Sequence, residues 1–176
     1  MLAEAGYDFE VVPSRIPEPV LPETHDVSAA AWAEALAYFK ARSIADRYAD
    51  AIILGADTVV SYAGRIIGKA ADEEQARRIL TEMFGGRNDV ITGLALLGPD
   101  LKSRTITHVR TTLQMRPMNT ADVESYIRSG AWRDKAGAYA IQEGGDRFVE
   151  KIEGSHSNIV GLPMEKVNEM LEPYRG

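Results

Sequence analysis

An α/β domain is the fold class this sequence predicts, and three observations predict it. A short apolar run at 51–54 passes through Gly55 directly to a lone carboxylate, Asp57, as a buried strand does when it reaches a turn. Thr, Val and Ile alternate through 58–62, 65–67 and 101–115, as strands with one wet face do. Between and after these lie helically spaced apolar residues, the sets opening at Ser28, a plausible N-cap, at Asp72-Glu73-Glu74-Gln75 and at Asn119-Thr120.

With 176 residues the chain suffices for one domain with a real core, or for two small lobes that share a sheet. Twenty basic residues stand against 26 acidic ones, which argues against general affinity for a nucleic-acid polymer. A small phosphorylated ligand needs only a few local cations and stays open. The absence of cysteine excludes disulfides and thiolate metal sites, and three scattered histidines argue against a His-rich zinc site. No apolar run is long enough to cross a membrane and no signal peptide is visible, so no membrane partner and a cytoplasmic location are expected.

Taken in order, Met1-Leu2-Ala3-Glu4-Ala5-Gly6 reads as the last turn of a helix stopped at Gly6. Residues 7–12 alternate weakly and predict a strand; 13–26, rich in Pro and Glu, predict a surface loop that carries Glu18. A helix is predicted from Ser28 to about Tyr48, with Trp32, Leu36 and Phe39 at helical spacing and Lys40 beside that face. The strand ending near Asp57 follows, then a hairpin whose two arms flank Ala63-Gly64 and which Gly68-Lys69 closes. Asp72-Glu73-Glu74-Gln75 opens the clearest helix: acidic residues suit its positive end, and Ala76, Ile79, Leu80, Met83 and Phe84 share one face. Gly85-Gly86 ends it. A buried strand at 89–97 and an antiparallel partner at 101–115 are joined by the turn Gly98-Pro99-Asp100. A second amphipathic helix starts at Asn119-Thr120 and stops at Gly130, with Val123, Tyr126 and Ile127 inward. The small residues in Ala136-Gly137-Ala138-Tyr139-Ala140 allow close approach of backbone to a ligand. A last strand at 148–152 and a helix opening near Pro163, with Val167, Met170 and Leu171 inward, complete the chain.

Asp57 is the residue to organise a site around. An unpaired carboxylate among apolar neighbours is costly, so it is paired, hydrated or bound to a metal; a turn Asp bonded to its own backbone is the plainer reading. Lys69, at the far end of the hairpin, could reach back to Asp57, or could simply protect a strand edge. Lys40 and Glu18 read by themselves as solvated side chains. Lys135 adds a cation to the small-residue segment, and the amide of Gln142 can both donate and accept, which suits the reading of a base edge.

Four pieces then stand together: Gly55-Ala56-Asp57-Thr58-Val59-Val60; Gly68-Lys69 with Asp72-Glu73 and Ala76; Asp134-Lys135-Ala136-Gly137-Ala138-Tyr139-Ala140-Ile141-Gln142; and Gly154-Ser155 with Asn158-Ile159-Val160-Gly161-Leu162-Pro163. In this combination the chain resembles the Maf family of nucleoside triphosphate pyrophosphatases over nearly its whole length. Lys-Ala-Gly-Ala-Tyr followed by Ile-Gln resembles the branch acting on dTTP and UTP, with Ala140 where Gly is usual. The resemblance implies an inosine triphosphatase-like α/β fold, with an extended mixed sheet, flanking helices and two lobes around a central cleft. It implies Asp57 as catalytic base and metal ligand, Thr58 and Gln142 in base selection, and Glu18, Lys40 and Lys69 along the cleft, with Lys135 a further substrate-binding candidate. It implies a divalent cation, Mg²⁺ first and Mn²⁺ second, and a homodimer is the candidate assembly.

The implied reaction cleaves between the α- and β-phosphates, giving a nucleoside monophosphate and pyrophosphate. Family members normally begin with a strand and Ser-x-Ser-Pro-Arg-Arg ahead of a helix; this sequence starts inside that helix. Arg15 follows the next strand and does not replace the motif. The expectation is a single domain over 1–176 that lacks the strand and the phosphate-binding loop, with a misplaced start favoured over a natural truncation. The competing functional reading is a catalytically weak nucleotide-binding regulator of septum formation and cell division; a purely structural protein is the third.

Overall fold

The structure, a computed structural model, describes residues 1–14, 16, 17, 19, 27–141 and 144–174. In chain order its elements are α1 (Ala29–Ala45), β1 (Ile53–Tyr62), β2 (Arg65–Ile67), α2 (Glu73–Met83), β3 (Arg87–Leu97), β4 (Arg104–Met115), α3 (Thr120–Ser129), β5 (Val149–Glu153), α4 (His156–Val160) and α5 (Met164–Leu171). The strands form one sheet in the order β2-β1-β3-β4-β5. Every pairing among them is antiparallel, so the mixed character that the resemblance implied is not seen in the described strands.

Helix α1 covers one face of this sheet. Ser28 caps it, its Oγ accepting from the Ala31 N–H at 3.2 Å. Of the expected face, Leu36 is buried and Trp32 packs beside it, but Phe39 is 46% exposed, and Ala33, Ala37, Ala41 and Ala45 make up the rest of the surface pressed on the strands. The reason is steric. A Cβ at Gly55 would lie 2.3 Å from the Ala37 carbonyl oxygen, so β1 and α1 approach too closely for larger residues. Ile53, Ala95 and Leu97 complete that contact, with Val59 and Ile91 further along.

The opposite face carries α2, α3 and α5. Val60, Val90, Leu113 and Met115 meet Leu80, Met83, Tyr126 and Phe148 in the largest core cluster. Leu94 and Leu96 pack on Val167 and Met170 of α5. The helices start where expected and their starts are capped: Asp72 Oδ1 accepts from Gln75 N at 2.7 Å, and Asn119 and Asp122 form a reciprocal capping box. Gly130 ends α3 in the left-handed region at φ 73°. No helix among the described residues is long and apolar enough to cross a membrane.

Two expectations are corrected. Residues 7–12 belong to no strand; they run alongside the domain, held by the Tyr7 hydroxyl donating to Asn168 Oδ1 at 2.8 Å and the Tyr48 hydroxyl donating to Glu10 at 3.3 Å. The strand predicted to end near Asp57 does not end there. Gly55 permits contact with α1 rather than a turn, and β1 continues in register with β3 from Ile53↔Leu97 to Tyr62↔Asn88.

Candidate functional site

β2 pairs only with Val60–Tyr62, which leaves 53–59 of β1 with no ladder partner on that side among the described strands. A cleft of about 600 Å³ lies across this edge. Side chains alternate along a strand, so Asp57 and Thr58 leave β1 on opposite faces and line the cleft from both sides of the sheet. Asp57 falls on the α1 face, opposite Gly93; Thr58 falls on the α4 face, opposite Thr92.

Lys40, from the middle of α1, donates to Asp57 Oδ1 as an ion pair. The carboxylate is only 11% exposed, and the cation offsets the cost of holding that charge away from water. Lys40 rather than Lys69 thus forms an ion pair with Asp57, and Lys69 lines the cleft beside Lys135. Their placement follows from backbone pairing. Lys69 forms an antiparallel bridge with Ala136, and the Gly137 N–H donates to the Gly68 carbonyl at 3.0 Å, fastening the hairpin's end to 134–137.

That fastening requires an unusual backbone. Asp134, Gly137 and Ala138 adopt φ 61°, 69° and 55°, and a non-glycine residue in that region is strained. At Gly137 a Cβ would also press on Met83, Tyr139 and Val60, each at 3.2 Å. The Tyr126 hydroxyl accepts from the Ala140 N–H at 3.0 Å and holds the segment from below. Tyr139 packs edge-on against Phe84, and its buried hydroxyl has no hydrogen-bond partner among the described residues. Burial, with Tyr126 nearby, pushes that phenol above its ordinary pKa, so it stays neutral.

The structure therefore brings Lys40, Asp57, Thr58, Lys69 and Lys135 to one cleft. Glu18 and Gln142 lie outside the described residues, although their neighbours Pro19 and Ile141 line it. Sequence reasoning missed the floor. Ile159, Val160 and Gly161 of α4 and its cap form it, and Thr92 lies behind Thr58 with Oγ1 atoms 2.9 Å apart. Asn158 anchors the floor: fully buried, its Nδ2 donates to the Val90 carbonyl and to Thr111 Oγ1, both at 3.0 Å. The signal for this was present in Gly154-Ser155 and Asn158-Ile159-Val160-Gly161, where Ser155 caps the start of α4 and Gly161 ends it in the left-handed region.

Chemically, three lysines against Asp57 and Asp134 make the described lining suited to an anion. Apolar residues such as Trp32, Leu36, Val60 and Ile67 offer a surface for a flat ring. No group of three or more His, Cys, Asp or Glu side chains is arranged to hold a metal among the described residues; the carboxylates among them that line the cleft are Asp57 and Asp134.

A model of the family described as Maf-like protein matches residues 1–174. Curated relatives resemble the chain over nearly its full length. A "dTTP/UTP pyrophosphatase" of Moorella thermoacetica is 40% identical over 171 residues, covering 97% of this chain and 87% of the relative. One of Ruminiclostridium cellulolyticum is 40% identical over 172 residues, covering 98% and 88%. One of Dictyoglomus thermophilum is also 40% identical, over 171 residues, covering 97% and 88%.

Proposed function

The chain belongs to the Maf family, and from that membership we propose that it is a nucleoside triphosphate pyrophosphatase that hydrolyses dTTP and UTP to the monophosphate and pyrophosphate. The observation that carries this reading is the Asp57–Lys40 pair, set in a cleft that Lys69 and Lys135 also line.

Asp57 orients a water molecule and takes its proton as the water oxygen attacks the α-phosphorus. The bond between that phosphorus and the α–β bridging oxygen breaks, and pyrophosphate leaves with the electron pair. Lys40 holds Asp57 in place and, with Lys69 and Lys135, supplies fixed positive charge where phosphate oxygens gather. Thr58 and Gln142 read the base, and Glu18 contributes to the cleft from its loop.

A single carboxylate fits a hard divalent cation that takes its remaining ligands from water and phosphate, which describes Mg²⁺ first and Mn²⁺ second. When bound through Asp57, such a cation would neutralise charge on the phosphate oxygens. The acidic balance supports action on free nucleotides rather than on a nucleic-acid polymer, and a cytoplasmic location is part of the same proposal.

The test is a panel of dTTP, UTP, CTP, dGTP, ITP and methylated GTP with and without Mg²⁺, detecting monophosphate and pyrophosphate separately. Equimolar monophosphate and pyrophosphate from dTTP and UTP are expected. Release of orthophosphate instead, or no turnover of either nucleotide, overturns the reading.

A further inference from the structure

Behind the cleft, two threonine hydroxyls share too few protons among too many acceptors. Thr58 Oγ1 and Thr92 Oγ1 lie 2.9 Å apart, and either can donate to the other. Thr58 can also donate to the Gly161 carbonyl at 3.4 Å, and Thr92 to the Asn158 carbonyl at 3.4 Å. Two protons thus meet three internal claims: the contact between the oxygens and the two carbonyls. Thr92 is fully buried and touches no part of the cleft surface, whereas Thr58 lines it.

We propose that Thr92 is a positioning residue for base selection: it tethers Thr58 so that Thr58 Oγ1 faces the cleft as a hydrogen-bond acceptor and selects a base edge that offers a ring N–H. The inference rests on the proposed reading, in which Thr58 contacts the base.

The direction follows from counting hydrogen bonds. If the proton of Thr58 stays inside, the threonine pair makes two internal bonds, and a lone pair of Thr58 Oγ1 accepts a third from the ligand. If Thr58 turns its proton toward the ligand, Thr92 donates to Thr58, both carbonyl contacts are given up, and only two bonds remain. A ligand donor therefore leaves one more bond in place than a ligand acceptor does. One net hydrogen bond corresponds to roughly a fivefold to tenfold difference in binding. Uracil and thymine carry a donor at N3; cytosine carries an acceptor there. The pair thus favours UTP and dTTP over CTP at this atom.

Thr92 supplies the shorter of the two internal contacts that hold Thr58. Without it, the hydroxyl keeps only the 3.4 Å approach to Gly161 and is free to rotate. The fold has little reason to depend on the same hydroxyl, since Val has nearly the shape of Thr.

The experiment compares kcat/KM for UTP, CTP and N3-methyl-UTP in the natural protein and in Thr92→Val, Thr92→Ser and Thr58→Val. The expected result is a UTP-to-CTP ratio lowered about fivefold in Thr92→Val and restored in Thr92→Ser, with the urea midpoint recorded for each. Thr58→Val should lower kcat/KM for UTP about tenfold and leave N3-methyl-UTP, which has no donor, within twofold. If Thr92→Val keeps the natural ratio, or loses UTP and CTP activity equally, Thr92 is a structural residue and the inference fails. If Thr58→Val costs N3-methyl-UTP as much as UTP, the acceptor assignment fails. Absence of UTP turnover in the natural protein overturns the proposed function itself, which separates the two failures.

Discussion

The backbone of Ala33 passes directly over Gly93: a Cβ at that glycine would lie 2.2 Å from the Ala33 carbonyl carbon and oxygen. Gly93 is the register partner of Asp57, and Ala33 lies two turns before Lys40 on the same helix. The contact therefore sets the height of α1 over the sheet, and with it the reach of Lys40 to Asp57. Gly93→Ala should push the helix outward, costing about 1–3 kcal/mol or more, and should impair turnover at temperatures where the protein is still folded. Gly68→Ala is the control, since a Cβ there would meet nothing within 4 Å. Equal urea midpoints for the two variants would show that α1 is not set by this contact.

The Asp57–Lys40 pair makes a prediction with two signs. Asp57→Asn should retain the fold and nucleotide binding while turnover falls about 10²–10⁴-fold, the range for loss of a general base. Lys40→Met should destabilise by about 1–3 kcal/mol, because it leaves a shielded carboxylate without its cation. Combining the two should recover most of that stability but no activity. Chemical denaturation of the four proteins measures the coupling; strictly additive losses would mean that the pair contributes little.

Most of the scaffold was legible because its signals are local. Asp72, Asn119 and Gly130 mark helix ends through their own hydrogen bonds or backbone angles, and all three do so in the structure. The hairpin at Ala63-Gly64 was equally readable, both residues adopting positive φ. What was not legible depended on partners distant in sequence. Gly55 looks like a turn residue until α1 is placed on it, and only then is the alanine stripe recognisable as a packing face. The pairing of Asp57 with Lys40 rather than Lys69 depends on the height of α1, which the glycine-alanine contact sets. Thr92 carries no local signal at all; its link to Thr58 exists only through the β1–β3 register.

Acid should loosen the floor of the cleft through Glu165. Ser155 and Ser157 both donate to Glu165 Oε2 at 2.8 Å, clamping α4 against the start of α5 on either side of Gly161. The backbone N–H of Glu165, then these two hydroxyls, hold its pKa below the ordinary 4.5. A lowered folded value means that the stabilisation is complete above the unfolded pKa and is lost as pH falls through the folded one. The side chain is exposed, so the effect on global stability is small. Glu165→Gln should lower the urea midpoint slightly at pH 7, and the gap from the natural protein should close below pH 4.5. A gap that stays constant through that window would remove the clamp from the account.

Lys69 and Lys135 make the last prediction, because the Lys69↔Ala136 bridge and the Gly68–Gly137 hydrogen bond bring their backbones together. In the proposed reading their ammonium groups serve the phosphates, whereas Thr58 and the apolar lining serve the nucleoside. On that reading pyrophosphate depends on these lysines for binding, while UMP keeps its base contacts without them. Lys69→Met and Lys135→Met should therefore each weaken inhibition by pyrophosphate roughly tenfold, as expected for loss of one charge-assisted hydrogen bond. Inhibition by UMP should change less than about threefold, and the KM for UTP should rise with the pyrophosphate constant. The pyrophosphate effect should also shrink as salt is raised, since part of it is long-range attraction. Equal losses for pyrophosphate and UMP would indicate that the substitutions had displaced the whole 134–141 wall rather than removed a phosphate contact.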